Sequence, residues 1–382
     1  MAVSARSYAP GRPGAACRFV LSPRRRPTTP ELSRWILNGR KPVTAHVAAV
    51  LDDALDAAGE IVAAAEAEMA SRLPRDMELT RRHLEETISA GAMSAAELDD
   101  WQQAMMRYGY RTRDVPSPAL LDDLTGDLAD LEAAITRHRS ASALPRLAGV
   151  AAGMSGMMVL TLIKTGDRRA WRGWSRTAQH AALEAGDAKV LAWTRAQESY
   201  GWFYAGEMTT AIDTARAAQT GPCVGAALAA ALEMRAHAAR GDGGNARAVL
   251  PEAERFLDAL PEADRTASAF GYGESQLRFH AGSAFTLLRD LPAALEATAR
   301  ALELCAPGDY TDWALGRLDR AQCLAWTDPD TGLGYAAETI EALTGPQRRG
   351  IIADRARRLL GALSPAQLTS PLAREFAELV DA

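Results

Sequence analysis

The sequence predicts an all-α protein that consists of a basic N-terminal segment and a long array of helix pairs. Of its 382 residues, 79 are Ala and 40 are Arg, and both residue types favour helices. Aromatic residues make up 6% of the chain, too few for a large sheet. Short turns also recur along the C-terminal half. These observations exclude an all-β protein and disfavour a doubly wound α/β protein, and the length suggests two or three domains.

The charge of the chain is unevenly distributed. Residues 1–42 contain nine basic side chains and one acid, Glu31, so this segment carries +8. The chain as a whole carries −5, which leaves −13 on residues 43–382. A basic segment on an acidic body predicts that the segment binds a polyanion and the body does not. A disordered Arg-rich tail without a partner is the alternative, and charge alone does not decide between them.

Two short helices are predicted between residues 24 and 66. Thr29 can cap the first helix, because Pro30 is a favourable first helical residue. The break falls at Asn38-Gly39, and the second helix begins near Thr44. The apolar residues at helical spacing are Leu32, Trp35 and Ile36 in the first helix, and Val47, Val50, Leu51, Ala54 and Leu55 in the second. A short helix held by a following helix is a geometry that reads a DNA major groove.

This segment resembles the C-terminal half of an Xre/Cro-type, lambda-repressor-like helix-turn-helix domain. The matching residues are Ser33-Arg34-Trp35, Gly39-Arg40-Lys41-Pro42-Val43-Thr44, Val47-Ala48, Leu51-Asp52 and Ala54-Leu55. Residues 1–23 contain no counterpart of the two earlier helices of that family, and Ile36 replaces its usual glutamate. The resemblance implies a partial helix-turn-helix domain at residues 24–66, preceded by a disordered basic tail at residues 1–23.

The same resemblance implies that the head binds double-stranded DNA. The basic residues expected on phosphates are Arg24, Arg25, Arg26, Arg40 and Lys41. The residues expected on base edges are Thr28, Thr29, Ser33 and Arg34. Trp35 is interpreted as a core residue.

A helical linker region is predicted at residues 67–144. Ser94 and Glu97 form a capping box, and Ser117-Pro118 caps a further helix. The apolar stripe of that helix consists of Leu121, Leu124, Leu128, Leu131 and Ile135. The stripe packs within the chain or pairs with a second protomer, and we expect a homodimer.

The spacing of turns predicts an α-solenoid at residues 145–364. Five turns carry an acid, 40, 35, 48 and 38 residues apart: Asp167, Glu207, Asp242, Asp290 and Asp328. A period of this size with two helices per unit is typical of helical repeats. Residues 275–308 resemble a tetratricopeptide repeat in Gly282, Phe285, Asp290, Ala294 and Ala301. Residues 365–382 are predicted to form a C-terminal capping helix.

The combination resembles actinobacterial regulators that join an Xre-type head to a tetratricopeptide-like domain, over about residues 28–364. The characteristic stretches are 274–284 and 317–324. The resemblance implies a concave groove that binds a peptide, a small molecule or a protein. The candidate ligand-binding residues are Trp193, Gln197, Tyr200, Arg235, Arg278, His280 and Arg317. Packing between repeats is the alternative for the aromatic residues, and pairing with Glu274 is the alternative for Arg278.

Other function classes are disfavoured. The sequence contains no phosphate-binding loop, zinc-protease motif or nucleophile elbow, so we predict neither an enzyme nor a cofactor or metal site. The uncharged stretch Leu147–Ile163 is short for a membrane span and is expected to be a core helix. Four scattered cysteines and the absence of a signal-peptide pattern predict a cytoplasmic protein. Two functions remain: a DNA-binding transcriptional regulator that senses a ligand, and an interaction adaptor whose head no longer binds DNA.

Overall fold

The computed structural model of the protein describes residues 45–67, 78–79, 81–82, 93–138, 143–167 and 169–381. All regular secondary structure in these ranges is helical, which confirms the predicted all-α class. The chain divides into two compact units, residues 1–91 and residues 92–382.

In the first unit, helix α1 (Ala45–Leu55) begins directly after the predicted cap at Thr44. Ala48 is fully buried, and the predicted apolar stripe around it is partly buried. The carboxylate of Asp52 accepts hydrogen bonds from the backbone N–H groups of Gly59 (2.7 Å) and Ile61 (2.8 Å). It thereby caps a second helical segment at 60–67, and two polar N–H groups that would otherwise lack a partner are satisfied.

The second unit contains fifteen α-helices within its described residues. They are α2 (Ala95–Asp114), α3 (Ser117–Arg137), α4 (Ala143–Lys164), α5 (Trp171–Ala185), α6 (Ala188–Ala205), α7 (Met208–Ala218), α8 (Val224–Ala239), α9 (Gly243–Asp258), α10 (Glu274–Leu287), α11 (Leu291–Glu303), α12 (Tyr310–Ala325), α13 (Pro329–Glu341), α14 (Ile351–Gly361), α15 (Pro365–Leu368) and α16 (Pro371–Asp381). A short 3₁₀ turn, Glu262–Asp264, lies between α9 and α10.

Each of the five predicted turns joins two helices that pack against each other. The pairs are α4–α5, α6–α7, α8–α9, α10–α11 and α12–α13. The turn acids explain where the second helices begin: Asp242 accepts a hydrogen bond from the N–H of Asn245 (3.1 Å), and Asp328 accepts one from the N–H of Asp330 (3.1 Å). The first helices of successive pairs also contact one another from α4 to α14, so they form a common inner layer.

Small residues allow the helices of the array to approach closely. A Cβ atom on Gly225 of α8 would lie 2.3 Å from the backbone nitrogen of Trp193 on α6. One on Gly332 of α13 would lie 2.5 Å from the backbone nitrogen of Ala325 on α12. Gly282 is similarly close to Thr298 within the pair α10–α11, at 2.7 Å. The Ala and Gly content of the chain therefore serves close helix crossings.

The region predicted as a linker contributes two helices to the second unit. The Ser94–Glu97 capping box is present at the start of α2. The predicted cap at Ser117 is wrong, because Pro116 supplies the extended N-cap backbone and its carbonyl accepts the first helical hydrogen bond, from Leu120. The leucine stripe of α3 packs on α4 within the same chain, and Leu124 is fully buried.

Helix α4 is long and apolar enough to span a membrane by length and composition. However, 72% of its most apolar window is buried inside the protein. Met154 and Met157 are fully buried in the core that α4 shares with α2, α3 and α6. The prediction that this stretch is a core helix is therefore confirmed.

We predict that Gly350→Ala destabilises the second unit by about 2 to 4 kcal/mol, because two constraints require glycine there. Gly350 has φ +64° and ψ −130°, a conformation that favours glycine. A Cβ atom would also lie 1.9 Å from the carbonyl oxygen of Lys164, where the loop before α14 meets the end of α4. Urea unfolding followed by circular dichroism measures the effect. Gly361→Ala is the matched control, since nothing lies within 4 Å of its Cβ position; equal stabilities of the two variants would contradict the prediction.

Candidate functional site

The predicted DNA-binding residues lie outside the described part of the chain. They are Arg24, Arg25, Arg26, Thr28, Thr29, Ser33, Arg34, Arg40 and Lys41. The described candidate site therefore lies in the second unit.

The inner layer of first helices encloses a polar cavity of about 600 Å³, open solvent at its mouth included. Its walls come from α2, α4, α6, α8, α10, the start of α12 and the first residue of α14. The wall residues with polar side chains are Thr112, Arg113, Lys164, Gln197, Tyr200, Gln276, His280, Asp309, Thr311 and Asp312. None of the second helices of the pairs contributes a wall residue in the described chain. The cavity thus lies on the inner side of the array.

The chain's own segments cover part of this inner side. The Lys164 ammonium donates a hydrogen bond to the carbonyl oxygen of Thr112 on α2 (2.5 Å). Gly109, one turn earlier, accepts a hydrogen bond from the backbone N–H of Ala269 (2.8 Å). The indole N–H of Trp193 donates to the Ala269 carbonyl (2.8 Å). Helix α2 and the segment before α10 therefore cover part of the inner side of the array. The cavity that remains is a small chamber.

Arg235 lies behind this chamber and has no accessible surface. Its Nη1 group donates to the hydroxyl of Tyr200 (3.4 Å) and to Nδ1 of His280 (3.3 Å). Its Nε and Nη2 groups have no hydrogen-bond partner, and it forms no ion pair with a described carboxylate. The guanidinium instead contacts aromatic rings, with its carbon 4.4 Å from the centre of Phe203 and 5.7 Å from that of Phe279.

These aromatic contacts do not neutralise the buried charge. A cation–π contact attracts the cation to a ring but brings no opposite charge, and a buried ion is costly when no counter-ion pairs with it. Arg235 therefore differs from Arg355 on α14, which pairs with the buried carboxylate of Asp319. It also differs from Glu233, two residues earlier on α8, which accepts hydrogen bonds from Arg216 and Gln219, both at 2.7 Å.

The positive charge of Arg235 affects the neighbouring titratable groups. Burial and the proximity of Arg235 hold the pKa of His280 well below its usual value, so the imidazole is neutral. Since Nδ1 of His280 accepts from Arg235, the ring proton lies on Nε2, which is a donor. Burial raises the pKa of Tyr204, but Arg235 and Arg355 outweigh burial and leave it below its usual value. Arg235 thus acts to lower the pKa of His280, which lies on the chamber wall, and of Tyr204, which does not.

The other charges of the wall balance one another. Arg113 of α2 pairs with Asp309, the N-cap residue of α12, and lies 3.9 Å from Asp312. Lys164 is the second basic group of the wall. Burial holds its pKa below the usual value, and the nearby Asp309 and Asp312 offset this only in part. Burial, together with the negative charge of Asp309, raises the pKa of Asp312 to about 6. Two acids thus face two bases, and Arg235 is the surplus cation.

The structure brings four of the seven predicted ligand-binding residues together. Gln197, Tyr200 and His280 line the cavity, and Arg235 contacts two of them. Trp193 lies nearby, packed against Phe270 with 4.7 Å between the ring centres.

The other two predicted residues lie elsewhere. Arg278 pairs with Glu254 (3.2 Å) and Glu274 (3.7 Å), and the pair with Glu274 is the predicted alternative to ligand binding. Arg317 lies 3.9 Å from the ring centre of Tyr335 on α13, between the two helices of a pair.

Sequence reasoning missed the α2 and α12 side of the cavity. Thr112, Arg113, Asp309, Thr311 and Asp312 were not among the candidates. Asp309 and Asp312 at the start of α12 form a capping pattern that signals a helix start but not a cavity wall. Arg113 lies near the end of a helix assigned to the linker, and its position in the array depends on tertiary packing.

We predict that replacing two buried arginines has very different effects on stability. Arg355→Met should destabilise the chain by about 3 to 5 kcal/mol, because it leaves Asp319 buried without a cation. Arg235→Met should cost no more than about 1 kcal/mol or should stabilise, because it removes an ion that has no buried counter-ion. Urea unfolding of both variants measures the difference. A loss in Arg235→Met as large as that in Arg355→Met would contradict the prediction.

We also predict a pH-dependent gain in stability for Asp312→Asn. Because the folded chain raises the pKa of Asp312 to about 6, its stability falls as pH rises from about 4 through 6. Asparagine removes this cost, so the variant should exceed wild type by up to about 3 kcal/mol near pH 7.5 and match it near pH 4. Urea unfolding at both pH values tests this, with the exposed Asp122→Asn as control. A constant difference across pH would count against it.

Comparison with known proteins gives this chain no relatives. No family model, no curated protein and no solved structure matches it. No group of three or more metal-ligating side chains occurs among the residues that the structure describes. The chemistry of the site is therefore inferred from its own residues.

Proposed function

We propose that the chain is a DNA-binding transcriptional regulator whose helical array senses a small ligand. The observation that carries the proposal is the polar chamber in the inner layer of the second unit. It has polar walls, and a buried cation that pairs with no described carboxylate lies behind them.

The DNA-binding half of the proposal is supported by the sequence. The +8 charge of residues 1–42 provides the electrostatic attraction to a duplex, and the Ser33-Arg34-Trp35 stretch resembles the exit of an Xre-type recognition helix. In the same proposal the array is a divergent tetratricopeptide-like solenoid.

In this proposal, helix α2 passes the signal from the ligand-binding chamber toward the DNA-binding head. Its residues Thr112 and Arg113 form part of the chamber wall, and its N-terminal end leads back along the chain toward the head. A ligand that binds the chamber better when α2 is docked stabilises the docked position of α2. This change in the docking of α2 is the proposed signal.

The proposal includes a cytoplasmic homodimer. The described cysteines Cys223, Cys305 and Cys323 are free, in keeping with a reducing compartment. The two-fold symmetry of a dimer would match the symmetry of a palindromic operator.

We predict that replacing Arg24, Arg25 and Arg26 with Ala in the full chain weakens DNA binding. Three lost phosphate contacts should make the slope of log affinity against log salt shallower by about 3. Electrophoretic mobility shifts at several salt concentrations, on a fragment of the chain's own promoter and on a mixed-sequence duplex of equal length, measure the slope.

The matched control replaces three exposed arginines of the array, Arg169, Arg176 and Arg240, with Ala. This variant has the same net charge as the head variant and should bind DNA like wild type. If the wild-type chain binds neither duplex, or if both variants lose affinity equally, the DNA-binding proposal fails. The adaptor function, in which the head no longer binds DNA, then becomes the better account.

A further inference from the structure

We propose that the chamber binds a small organic acid through its carboxylate, and that Arg235 supplies the positive charge that selects it. This inference deepens the sensing half of the proposed function and is independent of DNA binding.

The charge balance of the site favours an anion. The wall carries two acidic side chains, Asp309 and Asp312, and two basic ones, Arg113 and Lys164. Arg235 adds one buried positive charge that no described carboxylate pairs with. A single negative charge in the chamber would supply the missing counter-ion in a region of low dielectric, where such an interaction is strong.

The hydrogen-bonding groups on the wall favour a carboxylate over a neutral ligand. His280 presents Nε2–H because its Nδ1 accepts from Arg235. The hydroxyl of Thr311 is buried and has no hydrogen-bond partner. The amides of Gln197 and Gln276 add N–H donors to the same wall. Carboxylate oxygens accept only, and each can accept more than one hydrogen bond, so these donors match them.

Buried donors without partners in and around the chamber also favour a ligand. Nε and Nη2 of Arg235, Nε of Arg113 and Oγ1 of Thr311 are buried without partners within one region. Buried polar groups are satisfied in the great majority of cases, and each exception calls for an explanation. An acceptor-rich ligand satisfies Thr311 directly and offsets the charge of Arg235 through Tyr200 and His280, which separate it from the chamber.

The shape of the chamber favours a small acid over a peptide. A peptide in a solenoid groove needs a long open surface. Here the hydrogen bonds Lys164–Thr112, Gly109–Ala269 and Trp193–Ala269 hold α2 and the segment before α10 across the inner layer. The space that this cover leaves suits a small acid better than a peptide.

The test measures binding of simple carboxylates to the full wild-type chain, with no DNA present. The probes are acetate, butyrate and benzoate near pH 7.5, each compared with its amide at matched ionic strength. We expect at least one carboxylate to raise the Tm in a saturable manner and to bind in calorimetry, because a ligand of the folded state stabilises it. The corresponding amide should have no effect.

Arg235→Met is the decisive variant. Circular dichroism should show a folded chain of similar or higher Tm. Its affinity for the carboxylate should fall about tenfold or more, because the buried positive charge behind Tyr200 and His280 is lost. Arg278→Met is the matched control, because Arg278 lies on the same helix as His280 but outside the cavity, and it should bind like wild type. Tyr200→Phe, which removes only a hydroxyl, should also weaken binding and serves if Arg235→Met does not fold.

Several results would overturn the proposal. These are the absence of any carboxylate response in wild type, an equal response to the amides, and unchanged affinity in both Arg235→Met and Tyr200→Phe. Binding of trialanine with a free C-terminus, when none of the small acids binds, would also overturn it in favour of a peptide ligand. Since these assays contain no DNA, their failure is distinct from a failure of the mobility shifts.

Discussion

The close approach of the first helices is the constraint on which the rest of the second unit depends. Gly225 of α8 lies where a side chain would overlap α6, and α8 is lined with fully buried alanines on every side. Small residues bring helix axes together and shorten the distance across the inner layer. Residues from helices far apart in sequence, such as Tyr200, Arg235 and His280, therefore meet around one chamber.

The same constraint explains how an arginine comes to be fully buried. Helix α8 has no exposed face over its central turns, so a long polar side chain there has no route to water. Arg235 is surrounded by Phe203, Phe279, Tyr200 and Tyr204, which hold a cation but do not neutralise it. A core of this kind is less stable than an apolar one of equal volume, and departures of this type are expected at functional sites.

The sequence predicts more of the fold than of the site. Helix pairs follow from turn acids such as Asp242 and Asp328, because capping and turn chemistry is local. The site depends on which helices become neighbours, and periodicity does not specify that. Helix α8 illustrates the difficulty: apolar residues surround it, so no amphipathic face indicates where Arg235 points. Arg278 is also an arginine on the first helix of a pair, yet it lies among exposed acids.

In the proposed site, helix α2 couples ligand binding in the chamber to its own docking on the array. It is held to the array by polar contacts near its C-terminal end, including the Arg113–Asp309 pair and the Lys164–Thr112 hydrogen bond, and these groups are also wall residues. An anion in the chamber changes the field on Arg113 and Lys164 at the same time as it fills the space beside them. Occupancy and docking of α2 then depend on the same few groups, so a change in one has a free-energy consequence for the other.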